Sequence, residues 1–249
     1  MRRLLVAGLV LLAAPAAAEK LVSTVSTPQV LITSSFDGAT LSLFGSVEAD
    51  ESGAPANGPY NVITIVTGPL QDRVTRLKTN RFGIWTNTDD VVFRHFPSFY
   101  AVVTSGKLDT IASPEVLAEY VVRPEDQART AAQASGAKAE KFSVELVRLM
   151  TEDRHFVLRE DGVRFLSSNA YAVNVALPSD VANGPFLVHT LVLKDGALVA
   201  ERSEGFSVRK SGFENFVFVM SRQQPLLYGL VCVMLALGTG WLAGVVFRR

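Results

Sequence analysis

Two apolar runs, one at each end, constrain this chain more than any other feature. The first covers Leu4 to Ala14, follows two arginines and precedes Ala16-Ala17-Ala18. A basic start, a short apolar stretch and an Ala-x-Ala site are typical of a signal peptide, so residues 1–18 are predicted to be removed after export. Eleven helical residues span only about 16 Å, which is too short for a bilayer core of about 30 Å.

The second run, residues 226–247, contains no charged residue and is followed by Arg248 and Arg249. Its 22 residues span roughly 33 Å as a helix, enough to cross a bilayer. A basic pair favours the cytoplasmic side, so residues 248–249 are predicted to form a cytoplasmic tail. The two runs together predict a single-pass protein of a bacterial inner membrane, with its body in the periplasm.

Composition excludes several function classes for the body between these runs. Without the four terminal arginines it holds 20 basic and 24 acidic residues, so its net charge is near −4. Nucleic-acid binding needs a basic face and is not predicted. The only cysteine, Cys232, lies in the tail run, so the exported body is predicted to contain no disulfide, thiolate metal site or attached haem. No cofactor is predicted.

Residues 19–112 have the pattern of a β-sandwich domain. The run Val62 to Thr67 is β-branched and almost wholly apolar, as in a strand that is covered on both faces. Frequent turn residues separate this run from its neighbours. Four more short strands are predicted after it, at Val74 to Lys78, Gly83 to Asn87, Val91 to His95 and Phe99 to Thr104. Short strands at this spacing favour an immunoglobulin-like sandwich.

A helical insert is predicted at residues 113–156 and a second β region at 157–211. Ser113-Pro114-Glu115 combines an N-cap, a first-turn proline and an acid at the positive end of the helix dipole. Asp195-Gly196 between two apolar runs is a hairpin signal. We leave open whether the second β region packs on the insert or on the first domain. The fold class is therefore mainly β, with immunoglobulin-like sandwich regions, a helical insert and one C-terminal transmembrane helix.

Two features adjoin the membrane. Residues 212–225 place apolar side chains at helical spacing, which predicts an interfacial juxtamembrane helix. Within the tail run, Ala236, Gly240 and Gly244 repeat at four-residue spacing. Small residues on one stripe let another helix approach closely, so these three are candidate helix-packing residues and a homodimer through the membrane helix is one possible use. Glycine is also common in membrane helices for other reasons.

The chain resembles a family of alphaproteobacterial transmembrane proteins. The resemblance is carried by motifs that span nearly the whole chain: Gly83-Ile84-Trp85-Thr86-Asn87, Pro97-Ser98-Phe99-Tyr100-Ala101-Val102, Leu108-Asp109-Thr110-Ile111-Ala112-Ser113-Pro114, Gly212-Phe213-Glu214-Asn215-Phe216, Leu227-Tyr228-Gly229-Leu230, Gly240-Trp241-Leu242-Ala243 and Val246-Phe247-Arg248-Arg249. It implies an exported β-rich body on a tail helix and no particular chemistry. Family members resemble genes found beside sulfite-exporter-type permeases, which suggests an accessory role.

Catalytic and metal motifs are weak. The sequence has no Gly-x-Ser-x-Gly elbow, although His95, Asp89, Asp90 and Ser98 could form a hydrolase site if the fold brought them together. The histidines at 95, 155 and 189 lack the paired spacing of metal ligands. No catalytic or metal-binding residue is therefore predicted.

A basic cluster is the most distinctive local pattern. It comprises Arg73, Arg76, Lys78, Arg81 and Arg94 and surrounds Trp85. Arginine binds oxyanions through a bidentate fork, so the cluster is a candidate anion-binding site for sulfite, sulfate or a sulfonate. The alternative is an edge strand that its charges protect from aggregation. Trp85 itself is expected in the core.

The sequence thus predicts a membrane-anchored periplasmic accessory module that partners an integral membrane protein such as a transporter. The alternatives are an anchored hydrolase using His95 and an oxyanion-binding domain using the basic cluster. The partners expected are the lipid bilayer and that membrane protein.

Overall fold

The computed structural model describes residues 19–33, 37–48, 58–211 and 213–246. The predicted signal peptide (1–18), Phe247 and the predicted cytoplasmic tail (248–249) lie outside the described residues. The described chain is mainly β, with a group of helices between its strands and one long apolar helix at its end. The predicted fold class is confirmed at this level.

Two sheets face each other. The first has the strand order β1-β3-β10-β9, and each neighbouring pair is antiparallel. Its strands are β1 (Lys20–Val25), β3 (Ala39–Glu48), β9 (Val163–Phe165) and β10 (Ala170–Leu177).

The second sheet has the order β2-β12-β11-β4-β7-β8. Its two outer pairs, β2 with β12 and β7 with β8, are parallel, and the inner pairs are antiparallel. Its strands are β2 (Gln29–Ile32), β4 (Asn61–Thr67), β7 (Tyr100–Thr104), β8 (Phe156–Arg159), β11 (Gly184–Lys194) and β12 (Ala197–Lys210).

The space between the sheets holds the first hydrophobic core. Leu41 and Leu43 of the first sheet pack there with Val66 and Val188 of the second. Each sheet contains strands from both predicted β regions. In the first sheet β3 of the first region pairs with β10 of the second, and in the second sheet β4 of the first region pairs with β11 of the second. The two regions are separate along the chain but share one sandwich in space, because neither set of strands alone covers both faces of this core.

Four helices cover the other face of the six-stranded sheet. They are α1 (Leu108–Ile111), α2 (Pro114–Glu119), α3 (Pro124–Ala131) and α4 (Gly136–Glu152). The Ser113 hydroxyl accepts a hydrogen bond from the Val116 N–H at 3.4 Å, as its N-cap position predicts. A second core between sheet and helices contains Ile63, Phe142, Leu146 and Met150.

Strand β4 is buried on both faces, as its sequence predicts. Val62 and Val66 point into the first core, and Ile63 and Ile65 point into the second. Alternate side chains of one strand therefore serve two different cores. This burial makes β4 the central strand of a three-layer body.

The region after β4 differs from the sequence prediction. Instead of three short strands, it forms two long ones, β5 (Leu70–Arg81) and β6 (Ile84–Pro97), which pair only with each other. We call this hairpin the arm. The prediction of separate strands was wrong because only Phe82 and Gly83, at φ 53° and 82°, form a turn. The other interruptions are irregularities in register within continuous strands.

The arm continues the ladder of the sheet without a change of register. Thr67 pairs with Tyr100 in β4 and β7, and Leu70 pairs with Pro97 in the arm. Between them the Gly68 N–H donates to the Phe99 carbonyl at 2.8 Å. Strands β4 and β5 are therefore one polypeptide run, bent at Gly68-Pro69, that leaves the sheet.

Two helices end the described chain. Helix α5 (Phe213–Gln223) corresponds to the predicted juxtamembrane helix. Helix α6 (Pro225–Val246) has 22 residues and a mean hydropathy of 2.0, and its length and composition suit a membrane crossing. None of its side chains is buried by the rest of the chain.

Candidate interaction site

The arm divides into a supported base and an unsupported end. Near the base, side chains on one face of β5, from Arg73 to Thr79, are half-buried and turn toward α4. From residue 80 to residue 88 both faces are exposed to solvent. An isolated two-stranded hairpin is marginally stable in water, so the arm depends on its contacts with α4.

Apolar side chains occupy the tip. Phe82 is fully exposed, and Ile84 and Trp85 are 67% and 68% exposed. The Asn80 side chain holds the turn by accepting a hydrogen bond from the Gly83 N–H at 2.9 Å. Trp85 was expected in the core and is instead at the surface, because its strand extends beyond every layer that could cover it.

The five residues of the basic cluster divide between the two faces of the arm. Alternation along β5 puts Arg73 and Arg81 on one face and Arg76 and Lys78 on the other. Arg94 shares the second face, since it alternates with the buried Phe93. The fold therefore gathers three of the five on one face.

Carboxylates accompany the basic residues on that face. Arg76 lies opposite Asp90 in the ladder, and Arg94 makes an ion pair with Asp72 at 3.8 Å. The Asp72 carboxylate also accepts a hydrogen bond from the His95 N–H at 3.1 Å. These acids compete with an external anion for the guanidinium groups. Anion binding by the cluster stays a prediction.

A groove of about 630 Å³ lies between β5 and α4. On the helix side, apolar residues (Phe142, Leu146, Leu149 and Met150) alternate with charged ones (Lys141, Glu145 and Asp153). Arg73 enters the groove from the strand, where partial burial lowers the pKa of its guanidinium and the charge of Asp153 opposes that shift. The groove thus combines apolar side chains with charges of both signs.

The candidate hydrolase residues have separate environments. His95 is exposed at a positive φ of 51°, whereas Ser98 is buried at 2% exposure and its hydroxyl has no hydrogen-bond partner among the described residues. The Asp89 carboxylate is engaged by the Lys138 ammonium, whose hydrogen bond holds the pKa of Asp89 below its ordinary value. Within the described chain, the His95 ring makes no hydrogen bond with Ser98 or Asp89. The hydrogen bond that a hydrolase needs between base and nucleophile is therefore missing.

The other histidines are also isolated from one another. His155 Nε2 lies 3.6 Å from Asp180, and His189 Nε2 lies 3.2 Å from Glu201 and packs edge-on against Tyr120. In the parts of the chain that the structure describes, no group of three or more His, Cys, Asp or Glu side chains could hold a metal ion.

The small-residue stripe of α6 faces outward. Within the described residues, a Cβ added at Gly240 or Gly244 would have no heavy atom of another element within 4 Å. Gly238, which is two residues from Gly240, also faces open space on a different side of the helix. The packing use of Ala236, Gly240 and Gly244 therefore requires a helix from outside this chain.

Sequence reasoning missed two of these features. Phe82 was not singled out, although Phe82-Gly83 between two β-forming runs carries a turn signal that would have put both neighbours at a tip. The groove depends on α4 packing against β5, and no local pattern in either element specifies that contact.

Comparisons with known proteins identify a family for the chain. No curated protein matches the sequence. Residues 20–249, from the first strand of the body to the end of the tail, match a family model. The chain belongs to the family described as Putative transmembrane protein (Alph_Pro_TM).

Proposed function

We propose that this protein is a membrane-anchored accessory module that binds an integral membrane protein, a transporter being the expected partner. The observation that carries the proposal is the open glycine face of α6. The body contributes a folded domain at the membrane surface, and the tail helix contributes the contact within the bilayer.

The glycines of α6 are not explained by contacts inside the chain. Glycine in a helix costs about 1 kcal/mol relative to alanine, and close packing usually compensates for that cost. Here no described element packs against Gly240 or Gly244. Small residues at four-residue spacing allow two helix backbones to approach closely in a membrane, so a second helix is the partner that suits this face.

The strand pairing supports a body on one side of the membrane. Gln29 pairs with Ser207 in the parallel ladder of β2 and β12. Strands β2 and β12 therefore share a compartment, and among the described residues between them no helix is long and apolar enough to be a candidate membrane span. A signal peptide at 1–18 and basic residues at 248–249 favour the periplasm for the body and the cytoplasm for the C-terminus.

The strand order supports an immunoglobulin-like assignment for the body. One sheet runs β1-β3-β10-β9 and the other contains β12-β11-β4-β7. If β1, β3, β4, β7, β9, β10, β11 and β12 are taken as strands A, B, C, C′, D, E, F and G, the two sheets follow the ABED and GFCC′ arrangement. In that scheme the arm is an extended C–C′ turn. Immunoglobulin-like sandwiches support many functions, so the fold is compatible with a binding role and does not specify it.

Affinity capture from native membranes in mild detergent tests the proposal. The wild-type chain is expected to recover an integral membrane protein, and Gly240→Leu is expected to reduce that recovery about tenfold, equivalent to about 1.4 kcal/mol, since a leucine side chain keeps the two helix backbones apart. Gly238→Leu is the matched control, because it adds the same side chain on another side of the same helix. Recovery of the bare protein from wild-type membranes would contradict the proposal.

Two further measurements separate the finer points. Two differently tagged copies that capture each other, with no other protein, would show that the glycine face serves a homodimer. A reporter active only in the cytoplasm is expected to be active when fused after Arg249 and silent when inserted near Gly136. The opposite pattern would reverse the orientation.

A further inference from the structure

We propose that the tip of the arm inserts into the interfacial layer of the lipid bilayer on the body's side, and so makes a second membrane contact beside α6. This inference does not depend on the existence of a protein partner. It concerns Phe82, Ile84 and Trp85, to which no role has been assigned above.

The chemistry of the tip suits a bilayer surface. Three large apolar side chains are exposed together at the end of a narrow hairpin. Tryptophan is enriched at the level of lipid headgroups, where its ring is partly apolar and its N–H is hydrated. Exposed apolar groups of this size otherwise favour aggregation, so their presence at the tip indicates a binding surface.

The charges behind the tip suit anionic lipid. Lys78 and Arg81 flank the apolar residues, and no acidic residue occurs between Lys78 and Thr88. Apart from Gly83, the remaining residues of this stretch are threonines and asparagines, which can hydrogen-bond to headgroups and water. The body as a whole is slightly acidic, so this end of the arm has the opposite charge to the rest of the body and the same complementarity as basic lipid-binding segments.

The base of the arm lies at the end of the body from which the chain leaves for α5 and α6. Thr67 pairs with Leu187, and Leu187 pairs with Gly205, so β4 and β12 run in the same direction. The arm starts where β4 ends, and the chain leaves for α5 where β12 ends. Both therefore emerge from one end of the sheet. Phe218 of α5 lines the same hollow as Gly184, whose added Cβ would contact Pro69 at the base of the arm.

The bilayer is also the surface to which α6 keeps this chain attached. A strand of 12 residues spans about 40 Å, whereas only 14 residues, 11 of them in α5, separate β12 from α6. Because α6 tethers the body, contact of the tip with lipid is an intramolecular event at high effective concentration. We therefore assign the lipid surface as the occupant of the tip.

Tryptophan fluorescence of the full-length chain tests this assignment. The chain has two tryptophans, so Trp241→Phe leaves Trp85 as the only one. This variant is reconstituted in vesicles of equal parts phosphatidylcholine and phosphatidylglycerol, with or without bromine on the acyl chains. Insertion predicts that brominated lipid lowers Trp85 emission by about twofold and that aqueous acrylamide quenches it several-fold less than free tryptophan.

Matched variants in the same background identify the residues responsible. Phe82→Ser with Ile84→Ser is expected to abolish quenching by brominated lipid. Val74→Ser changes an equally apolar residue that is 45% exposed at the base of the arm, and quenching is expected to persist. All these positions are exposed, and circular dichroism of each variant checks that the body stays folded.

Two results would overturn the inference. In the first, Trp85 is fully accessible to acrylamide and insensitive to brominated lipid. In the second, Trp85 is accessible in the pure lipid vesicles and protected only in native membranes, which would assign the tip to a protein. Both results concern the surroundings of Trp85 alone, so neither bears on whether the glycine face of α6 binds another helix.

Discussion

The body and the arm share one continuous ladder of hydrogen bonds and differ in what covers it. In the body, five consecutive residues of β4, from Val62 to Val66, are buried. In the arm, the same two chain segments continue to pair, with two shifts of register, and are exposed on both faces toward the tip. The comparison shows that strand pairing gives the arm its shape, whereas burial of side chains against other layers gives the body its stability.

Replacement of isoleucine by alanine at one position in the body and one in the arm should give the largest difference in stability. Ile63→Ala removes a side chain with no solvent exposure and is expected to lower the free energy of unfolding by about 2–5 kcal/mol. Ile84→Ala removes an exposed one and is expected to change it by less than about 0.5 kcal/mol. Urea titration of the full-length chain in detergent measures both. Equal losses would mean that the tip is covered by the rest of the protein.

Glycine substitutions test the same comparison, because they depend on the room for an added Cβ in the body and in the arm. At Gly45 an added Cβ would collide with the ring of Tyr171, which lies directly opposite in the ladder, so Gly45→Ala should cost about 1–3 kcal/mol. At Gly83 nothing lies within 4 Å, and only the φ of 82° opposes alanine, at about 1 kcal/mol. Thermal unfolding ranks the two variants. A more severe effect at Gly83 would show that the turn stabilises the whole body.

Alkaline pH should weaken the body through its buried tyrosines, a residue type that the arm does not contain. Burial raises the pKa of Tyr100 from 10.0 to about 12, so its contribution is complete below pH 10 and is lost as pH rises through 12. The loss amounts to about 2 kcal/mol.

The free energy of unfolding, measured between pH 9 and 12, a range set by these pKa values, should therefore fall less steeply with pH for Tyr100→Phe than for the wild type. The variant also loses the hydrogen bond from the Tyr100 hydroxyl to the Val121 carbonyl, so it starts about 1 kcal/mol less stable. Burial also raises the pKa of Tyr171 to about 12. The Tyr100→Phe variant therefore still loses the stabilisation contributed by Tyr171 as the pH rises. An unchanged pH dependence would contradict the role of Tyr100.

The smallest effect is expected where the arm meets α4. Asp89→Asn removes the ion pair with Lys138 and should speed hydrogen exchange of the arm roughly two- to fivefold, with no change in global unfolding. Because the pairing lowers the pKa of Asp89, the same loosening should occur in the wild type as pH falls through that pKa. Asp90→Asn, at the neighbouring exposed position, is the control. Equal rates of hydrogen exchange in the Asp89→Asn and Asp90→Asn variants would mean that the ion pair of Asp89 with Lys138 does not hold the arm against α4.

The extent of sequence prediction follows the same division. Val62 to Thr67 and the insert after Ser113 were predictable because local patterns, an unbroken apolar run and a helix cap, correspond directly to the structure. The tail helix was predictable from length and hydropathy alone. The single long hairpin was not, because Thr86, Asn87 and Thr88 resemble a boundary when only composition is considered. The splitting of the basic cluster between two faces follows from alternation along one strand, and it was missed because residues 70–81 were not recognised as a single strand.

The pairing of β2 with β12 has a consequence for the order of events during biosynthesis. About 178 residues separate Gln29 from Ser207, so at roughly 5–20 residues per second β2 waits about 10–35 s for its partner. β3 likewise waits for β10. The sandwich therefore closes only when the last strand has been made, and 15 residues later α6 begins. Synthesis of the last strand is followed closely by synthesis of the candidate membrane span, and until then the apolar faces of the early strands are exposed to aggregation.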